Sequence, residues 1–357
     1  MTVPTRWLIA ARWLIAAALS LATAATAQAP AVSQAELVAR LAKSLDSLTV
    51  IDQFSGVALV AKDGAPVFER AYGMADREAR RPNDVETAFN LGSINKIFTQ
   101  IAVRQLAAAG KLDLDSTLAH YWPDYPNAEV ARRITIRQLL QHRSGIGGNI
   151  FGAPAGGTRH DVRRLVDYLP LFVHEPLQFE PGSKDQYSNA GYVVLGLLVE
   201  RLSGENYYDY VRRHIYEPAG MTRTAHWPVD SLPHNTAVGY THRDSTGAPT
   251  PLHRNTDLLP GRGSSAGGGY STVHDLLRFL QALRAQLIPA GVPAGLGIGG
   301  GAPGLNAAVE GALPGGYDVI VLANLDPPTA EQVTAMVRTW LGARDEGRRL
   351  IRPGRSP

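Results

Sequence analysis

The sequence predicts an α/β protein of the α+β type, in which an antiparallel sheet flanked by helices lies beside a mainly helical lobe. Strand patterns occur near both ends of the chain, in residues 55–73 and 317–324, whereas helical patterns fill the middle. This order differs from the strand–helix alternation that gives a parallel sheet. We therefore expect the two chain ends to form one sheet, with a helical insertion between them.

The predicted elements of the first third of the chain have clear boundaries. Apolar residues recur with helical spacing in residues 35–48, which predicts a helix. Residues 55–73 contain two β-rich runs on either side of Asp63 and Gly64, which predicts a hairpin. A further helix is predicted from 93 to 109, with Gly110 as its C-terminal stop.

The same patterns continue through the helical middle to the last strand. Apolar periodicity predicts helices in residues 136–141, 162–169, 190–202, 207–214, 272–287 and 330–341. A continuous apolar run in 317–324 predicts a buried strand. We expect one domain over 28–342, with a sheet lobe from about 50–90 and 295–342 and a helical lobe from about 91–290.

Composition and charge limit the kind of protein this can be. With 357 residues, of which 45% are hydrophobic and 19% charged, the chain is ordinary globular sequence. It has no cysteine, which excludes disulfides, iron–sulfur clusters and thiol nucleophiles. The net charge of +3 lies at the two ends, and the body between them is slightly acidic. We therefore expect no nucleic-acid binding, and we interpret the arginine-rich tail 343–357 as a solvated end.

The first 27 residues have the pattern of a secretory signal. Arg6 and Arg12 precede or flank an apolar run in 13–22, and two A-x-A sites follow, the second ending at Ala27. Cleavage after Ala27 predicts a secreted or periplasmic protein. The run is shorter than the span of about 20 residues that a membrane helix needs. An uncleaved N-terminal anchor is the alternative, and we expect no stable membrane span in the mature chain.

The first chemical pattern is an S-x-x-K formed by Ser93 and Lys96 at a predicted helix start. The i,i+3 spacing places both side chains together, one turn apart. The helix dipole and partial burial lower the pKa of a lysine in this position. A neutral amine can then take the proton of Ser93, and the helix N-terminus offers N–H groups to an oxyanion. The structural alternative is an N-cap serine with a solvated lysine.

A second pattern, Tyr187-Ser188-Asn189, follows a turn and precedes an apolar helix. A tyrosine at such a junction can act as general acid or base if a nearby ammonium lowers its pKa. The amide of Asn189 can bind a substrate carbonyl. The alternative is a packed tyrosine next to a capping asparagine.

A third, glycine-rich segment in 297–304 precedes the terminal strand, with Gly300 and Gly301 at its centre. A glycine strand edge lets a substrate lie against the backbone and can supply the second N–H group of an oxyanion hole. The alternative for this segment is a flexible turn.

Taken in this order, the three patterns resemble the serine β-lactamase and penicillin-binding protein superfamily, in its class C-like and esterase-like branch. The resemblance extends over about residues 50–342. The similar segments are residues 93–96, 139–145, 179–182, 187–192, 218–224 and 266–272. Several segments agree in order, so the resemblance is specific.

The resemblance implies a role for each candidate residue. Ser93 would be acylated, and Lys96 and Tyr187 would share the proton transfers. Asn189 would orient the substrate, and the N–H groups of Ser93 and Gly301 would hold the oxyanion. The implied reaction is acyl transfer to water through an acyl-enzyme, on a small-molecule or peptide substrate and without a cofactor.

Two departures from the family pattern modify this expectation. Ile298 stands where the family usually has lysine or histidine, a cation that binds a substrate carboxylate or tunes the tyrosine. The segment between the predicted helix 272–287 and the third motif is shorter than in the family, which could open the cleft or remove a sheet edge. We therefore favour an esterase or peptidase over a β-lactamase. A non-catalytic protein that binds peptidoglycan or a peptide on the same fold is the alternative.

Other patterns in the sequence are weaker. Gly263–Gly267 spells G-x-S-x-G around Ser265, but loop sequence surrounds it where a nucleophile elbow needs a strand and a helix. Gly295, Gly297 and Gly300 spell G-x-G-x-x-G without a strand–helix unit. The histidines lack metal-ligand spacing, so we expect no metal site. We interpret His142 as a structural histidine.

Overall fold

The computed structural model describes residues 32–289, 291–292 and 295–343. The expected signal segment 1–27 and the tail from residue 344 lie outside the described residues. The helices are α1 Gln34–Val50, α2 Lys96–Ala108, α3 Leu118–Tyr121, α4 Ala128–Arg133, α5 Ile136–Leu140, α6 Leu165–Tyr168, α7 Asn189–Ser203, α8 Tyr207–Val211, α9 Val273–Arg284 and α10 Thr329–Trp340.

The strands lie mainly towards the two ends of the described chain. They are β1 Gly56–Lys62, β2 Ala65–Tyr72, β3 Met74–Asp76, β4 Arg81–Pro82, β5 Phe89–Asn90, β6 Tyr240–Arg243, β7 Pro249–Arg254, β8 Tyr270–Ser271, β9 Gly297–Ala302, β10 Leu305–Leu313 and β11 Tyr317–Ala323. Five of them form an antiparallel sheet in the order β2-β1-β11-β10-β9. The strands from both chain ends thus share one sheet, as the sequence predicts.

The central sheet is buried on both faces. Side chains alternate along β1, so that Val57 and Leu59 pack against the helical lobe while Ala58 and Val60 pack under α1 and α10. Antiparallel sheets often expose one face to water, whereas here helices cover both. The two ends of the described chain lie together on the outer side, where the Val32 N–H donates to the Trp340 carbonyl at 3.1 Å.

Most predicted elements are present, with shifted boundaries. The hairpin turns at Asp63 and Gly64, and both have positive φ. Ser93 lies in a 3-10 turn over Gly92–Asn95, so the α-helix begins at Lys96 rather than at the serine. The helix predicted for 162–169 is only the short Leu165–Tyr168.

Several strands were not predicted, and the longest of them are β10 and the pair β6 and β7. β10 has an alanine- and asparagine-containing sequence without a β-branched run, and β6 and β7 form a hairpin inside a region that has no clear pattern. The segment between α9 and β9 is short, and β9 is the edge strand of the sheet beside Ser93.

Candidate active site

The turn that carries Ser93 is held from both sides. The strand β5 leads into it, and the Asn90 Oδ1 accepts a hydrogen bond from the Gly92 N–H at 3.0 Å. The Leu91 N–H donates to the Gly269 carbonyl at 2.8 Å. Gly92 has φ +49°, a left-handed conformation that favours glycine. The sequence just before Ser93 therefore forces a tight turn that presents the hydroxyl at the start of α2.

Three side chains predicted from separate motifs meet at this turn. The Tyr187 hydroxyl donates to the Ser93 Oγ at 2.5 Å. The Lys96 Nζ lies 3.3 Å from the same oxygen. Because α7 begins two residues after Tyr187, the junction between loop and helix fixes the tyrosine over α2. The amine and the phenol therefore both lie within hydrogen-bond distance of the Ser93 Oγ.

Lys96 is completely buried, rather than partly buried as expected. Its Nζ lies 2.7 Å from the Asn189 Oδ1 and 2.5 Å from the Ala266 carbonyl oxygen. Burial lowers the pKa of Lys96 well below its ordinary value, because the charged form loses its hydration. A neutral amine donates its two N–H groups to these two oxygens, which can only accept. Its lone pair is then left for the hydroxyl proton of Ser93.

The environment of Tyr187 corrects one expectation. Burial raises the pKa of its phenol, and the hydrogen bond to Ser93 lowers it only in part. Burial also lowers the pKa of Lys96, which disfavours the ammonium that was expected to lower the pKa of Tyr187. Tyr187 therefore holds its proton in the free site and is a hydrogen-bond donor to the Ser93 Oγ.

His142 supports Tyr187 through three contacts. The His142 carbonyl accepts from the Gln186 N–H at 2.9 Å, and its Nδ1 accepts from the Ser188 N–H at 3.2 Å. Its ring lies against that of Tyr187, with centroids 4.6 Å apart and planes at 30°. Burial and the nearby Lys96 lower the pKa of His142 to about 4, so the ring is neutral at pH 7. The residue has the structural role that we expected from the sequence.

The edge strand β9 brings the third motif beside the serine. A Cβ built on Gly300 would lie 2.2 Å from the Leu91 carbonyl oxygen and 3.0 Å from the Ser93 nitrogen, so only glycine fits. The Leu296 carbonyl accepts from the Gly311 N–H, which fixes the alternation of hydrogen-bonded pairs along β9 and β10. By that alternation the Gly301 N–H points away from β10, towards the open edge.

Ile298 lies on the same face of β9 as Gly300. It is 4% exposed, pairs with Val309 on β10 and packs in the apolar core between sheet and helical lobe. An isoleucine in this position gives an apolar wall to the end of the site where the family pattern has a cation.

The weaker patterns have structural roles. Ser265 is fully buried, and its hydroxyl donates to the Tyr192 carbonyl at 2.8 Å. The next residue, Ala266, supplies the carbonyl that binds Lys96. Sequence reasoning missed this contact, because any residue can supply a carbonyl. The residues from Gly297 to Gly300 belong to β9 and open no strand–helix unit. In the described parts of the chain, no group of three acidic or histidine side chains could hold a metal ion.

Comparison with known proteins identifies the family. The family model described as Beta-lactamase matches residues 38–328. The chain belongs to this family. Esterase EstB of Burkholderia gladioli is 33% identical over 284 residues, which are 70% of this chain and 71% of the esterase. A penicillin-binding protein from Bacillus halodurans has a solved structure that superposes with a TM-score of 0.70 at 31% identity, covering 82% of this chain and 98% of that one.

The family includes proteins of different lengths. Penicillin-binding protein 4* of Bacillus subtilis is 30% identical over 65% of this chain, which spans only 52% of that protein. The beta-lactamase family member described here thus spans about half the length of such curated relatives. Its fold is similar to that of the penicillin-binding protein from Bacillus halodurans over most of both chains. Among the described residues, no helix is long and apolar enough to cross a membrane.

Proposed function

We propose that this protein is a secreted serine hydrolase that cleaves an ester, amide or peptide through an acyl-enzyme on Ser93. The observation that carries the proposal is the position of the Ser93 Oγ, which lies 3.3 Å from the Lys96 Nζ and 2.5 Å from the Tyr187 hydroxyl. A serine in contact with a buried amine and a phenol can lose its proton to one and be oriented by the other.

In the proposed acylation, the Ser93 Oγ attacks the carbonyl carbon and its proton passes to the lone pair of Lys96. The resulting ammonium has three N–H groups, two of which donate to the Asn189 Oδ1 and the Ala266 carbonyl. The carbonyl oxygen becomes an oxyanion, which the N–H groups of Ser93 and Gly301 stabilise at the edge of β9.

Collapse of the tetrahedral intermediate breaks the bond to the leaving alcohol or amine. Tyr187 gives its phenolic proton to the leaving atom, and the proton on Lys96 restores the phenol. In deacylation, a water attacks the ester carbon and gives one proton to Lys96, and Tyr187 gives its proton to the leaving Ser93 Oγ before the proton on Lys96 restores the phenol. Lys96 and Tyr187 therefore return to their starting protonation states at the end of each half of the reaction.

The apolar position of Ile298 supports esterase or peptidase activity on uncharged substrates over β-lactamase activity. A free carboxylate next to a buried isoleucine would lose hydration without gaining a partner. The same residue favours the alternative function, a non-catalytic protein that binds peptidoglycan or a peptide.

A fluorophosphonate probe tests the hydrolase proposal. We expect covalent labelling of the wild-type protein and none of Ser93→Ala, with turnover of p-nitrophenyl acetate lost in the same variant. Equal labelling of both proteins would overturn the role of Ser93. Absence of both labelling and turnover in the wild type would favour the binding protein.

Incubation with penicillin followed by mass spectrometry tests the substrate preference. We expect no stable penicilloyl adduct on Ser93, because the site has no cation at position 298. An adduct that forms rapidly would overturn the preference for uncharged substrates while leaving the serine hydrolase in place. Secretion has its own test: the mature protein recovered from outside the cytoplasm should begin at Gln28.

A further inference from the structure

A cleft with a volume of about 170 Å³ lies between β5, the turn that joins β9 to β10, and the loop residues 229–259. Its walls are largely apolar. The apolar side chains of its lining include Phe89, Val229, Leu232, Ala237, Leu259 and Leu305.

The cleft adjoins the turn that carries the serine. Asn90 lines the cleft, and its Oδ1 accepts from the Gly92 N–H at 3.0 Å. Leu305 lines it as well, and its Cδ1 lies 2.9 Å from the position of a Cβ built on Gly92. One wall of the cleft is therefore in contact with the residue directly before Ser93.

The edge of β9 leads from the serine to the cleft. Gly304, which lines the cleft, follows Gly301 by three residues. Because β9 ends at Ala302, a group that runs along this edge from Gly301 passes one more strand residue before it meets the turn that lines the cleft. At the opposite end of the strand, Ile298 is buried in the core.

The described residues that line the cleft include no unpaired charged group, although the Asn324 Oδ1 that lies in its lining has no hydrogen-bond partner. The Arg254 guanidinium lies 2.9 Å from Asp76 and 2.8 Å from Glu78, which neutralise its charge. The Asn255 amide donates to the Pro303 carbonyl at 2.8 Å. The surroundings therefore fit an uncharged, apolar ligand better than an anion.

The position of Tyr187 decides which part of a substrate enters. The leaving atom has to lie at the Tyr187 hydroxyl, on the helical-lobe side of Ser93. The residues that line the cleft come from 89–90, 229–270 and 304–324, and none belongs to the segment 142–192 that carries Tyr187. The part of the substrate that remains on Ser93 after the leaving group departs is the acyl group.

We propose, on the basis of the proposed function, that this cleft binds the apolar acyl chain of the substrate. A water molecule takes about 30 Å³ of liquid, and a methylene group is of similar size, so the cleft holds about five or six methylenes. With one or two carbons outside the cleft, the carbonyl carbon and in longer chains its neighbour, the preferred substrates are esters of unbranched carboxylic acids with about six to eight carbons.

A series of p-nitrophenyl esters from acetate to dodecanoate tests this assignment. We expect kcat/KM of the wild type to rise about four-fold per methylene up to hexanoate or octanoate and then to level off. Leu232→Trp fills the cleft, and it should lower kcat/KM for octanoate at least ten-fold while acetate stays within two-fold. Leu287→Trp, at a position that is 61% exposed and outside the cleft, is the matched control.

The outcomes separate the two proposals. Ser93-dependent hydrolysis of acetate without any dependence on acyl length would overturn the acyl cleft and keep the hydrolase. Activity that survives Ser93→Ala would overturn the hydrolase itself. Discrimination between hexyl and ethyl acetate, without discrimination between acyl chains, would assign the cleft to the alcohol. Val229→Phe narrows the same cleft and replaces Leu232→Trp if that variant does not fold.

Discussion

At the scale of single residues, the burial of Lys96 decides the pH range in which Ser93 can react. The amine has two fixed acceptors, Asn189 and Ala266, and its lone pair faces the serine only when it is neutral. Because burial lowers its pKa well below the ordinary value, the neutral form is available at a pH where an exposed lysine is charged.

The first prediction concerns this lysine and pH. As pH falls through the lowered pKa of Lys96, the amine takes a proton and kcat/KM for p-nitrophenyl acetate should fall. Lys96→Arg keeps a cation that does not deprotonate, and we expect kcat/KM at pH 7 to drop by about 10²- to 10⁴-fold. Stopped assays from pH 4 to 9, with Lys43→Arg on the surface of α1 as control, measure both effects. A fully active Lys96→Arg would exclude Lys96 as the base.

The reactive residues of the site can be predicted from the sequence, whereas the groups that hold them in place cannot. The motif spacing and the family resemblance indicate Ser93, Lys96 and Tyr187, and the structure brings their side chains together. The carbonyl of Ala266 has no sequence signal, since every residue has one. The three contacts of His142 with the Tyr187 segment depend on a left-handed backbone at φ +58°, which a histidine pattern does not indicate.

At the scale of elements, the glycines of β9 allow a strand to lie directly against the serine turn. The space on its inner face is taken by backbone atoms of Leu91 and Ser93, which cannot move aside as a side chain would. On the outer face, Gly299 lies instead against the side chain of Glu331 on α10. The adjacent residues Gly299 and Gly300 therefore differ in whether a side chain can be accommodated in their place.

The second prediction compares these neighbours. Gly300→Ala places its Cβ 2.2 Å from the Leu91 oxygen, so β9 must move away from Ser93. We expect at least a 100-fold loss of kcat/KM and a loss of about 1–3 kcal/mol in the free energy of unfolding, as for other overpacked sites. Gly299→Ala, whose nearest contact is a flexible carboxylate at 3.1 Å, should keep most of both. Equal kcat/KM values in the two variants would contradict this picture of β9.

The elements differ in how far sequence reasoning reaches them. The hairpin of β1 and β2 has turn residues with positive φ at Asp63 and Gly64, and these are visible in the sequence. β10 was missed because Asn306 and Glu310 interrupt its apolar run. Both side chains are nevertheless buried, and both form hydrogen bonds with side chains of α10. An alternating apolar and polar pattern reveals strands whose polar residues face water. The first seven residues of β10 are all buried, so this strand has no such alternation.

At the scale of the whole molecule, buried histidines link stability to pH. Burial lowers the pKa of His142 to about 4 and that of His226 to about 3. The unfolded chain takes up these protons as pH falls below about 6.5, while the folded protein does not. Both residues therefore leave stability unchanged above pH 6.5 and lower it progressively in acid.

The third prediction follows from this loss of stability in acid. Between pH 7 and 4.5 each of the two histidines should lower the free energy of unfolding by about 2–3 kcal/mol. His226→Phe removes one of them, so its stability should fall less over this range than that of the wild type. Urea unfolding at both pH values measures the difference, with the exposed His253→Ala as control. Parallel losses in wild type and His226→Phe would show that His226 does not carry this dependence.

The prediction for the whole fold was more successful than that for its details. Strand patterns near both ends of the chain indicated one antiparallel sheet, and β1 does pair with β11 from Gly56↔Ala323 to Lys62↔Tyr317. The sequence could not indicate the hairpin of β6 and β7, which forms part of the wall of the proposed acyl cleft at Arg254. Its residues are mostly exposed, so no apolar alternation marks it.

The position of β11 between β1 and β10 has a consequence for how the sheet forms during synthesis of the protein. The central strand β11 follows β1 by more than 200 residues along the chain, so β1 waits through the synthesis of those residues for its partner. A chain that stops early lacks the middle of the sheet rather than its margin. A premature stop codon anywhere before Tyr317 therefore yields a polypeptide in which the hairpin of β1 and β2 lacks its neighbouring strand β11, even if all of its catalytic residues are present.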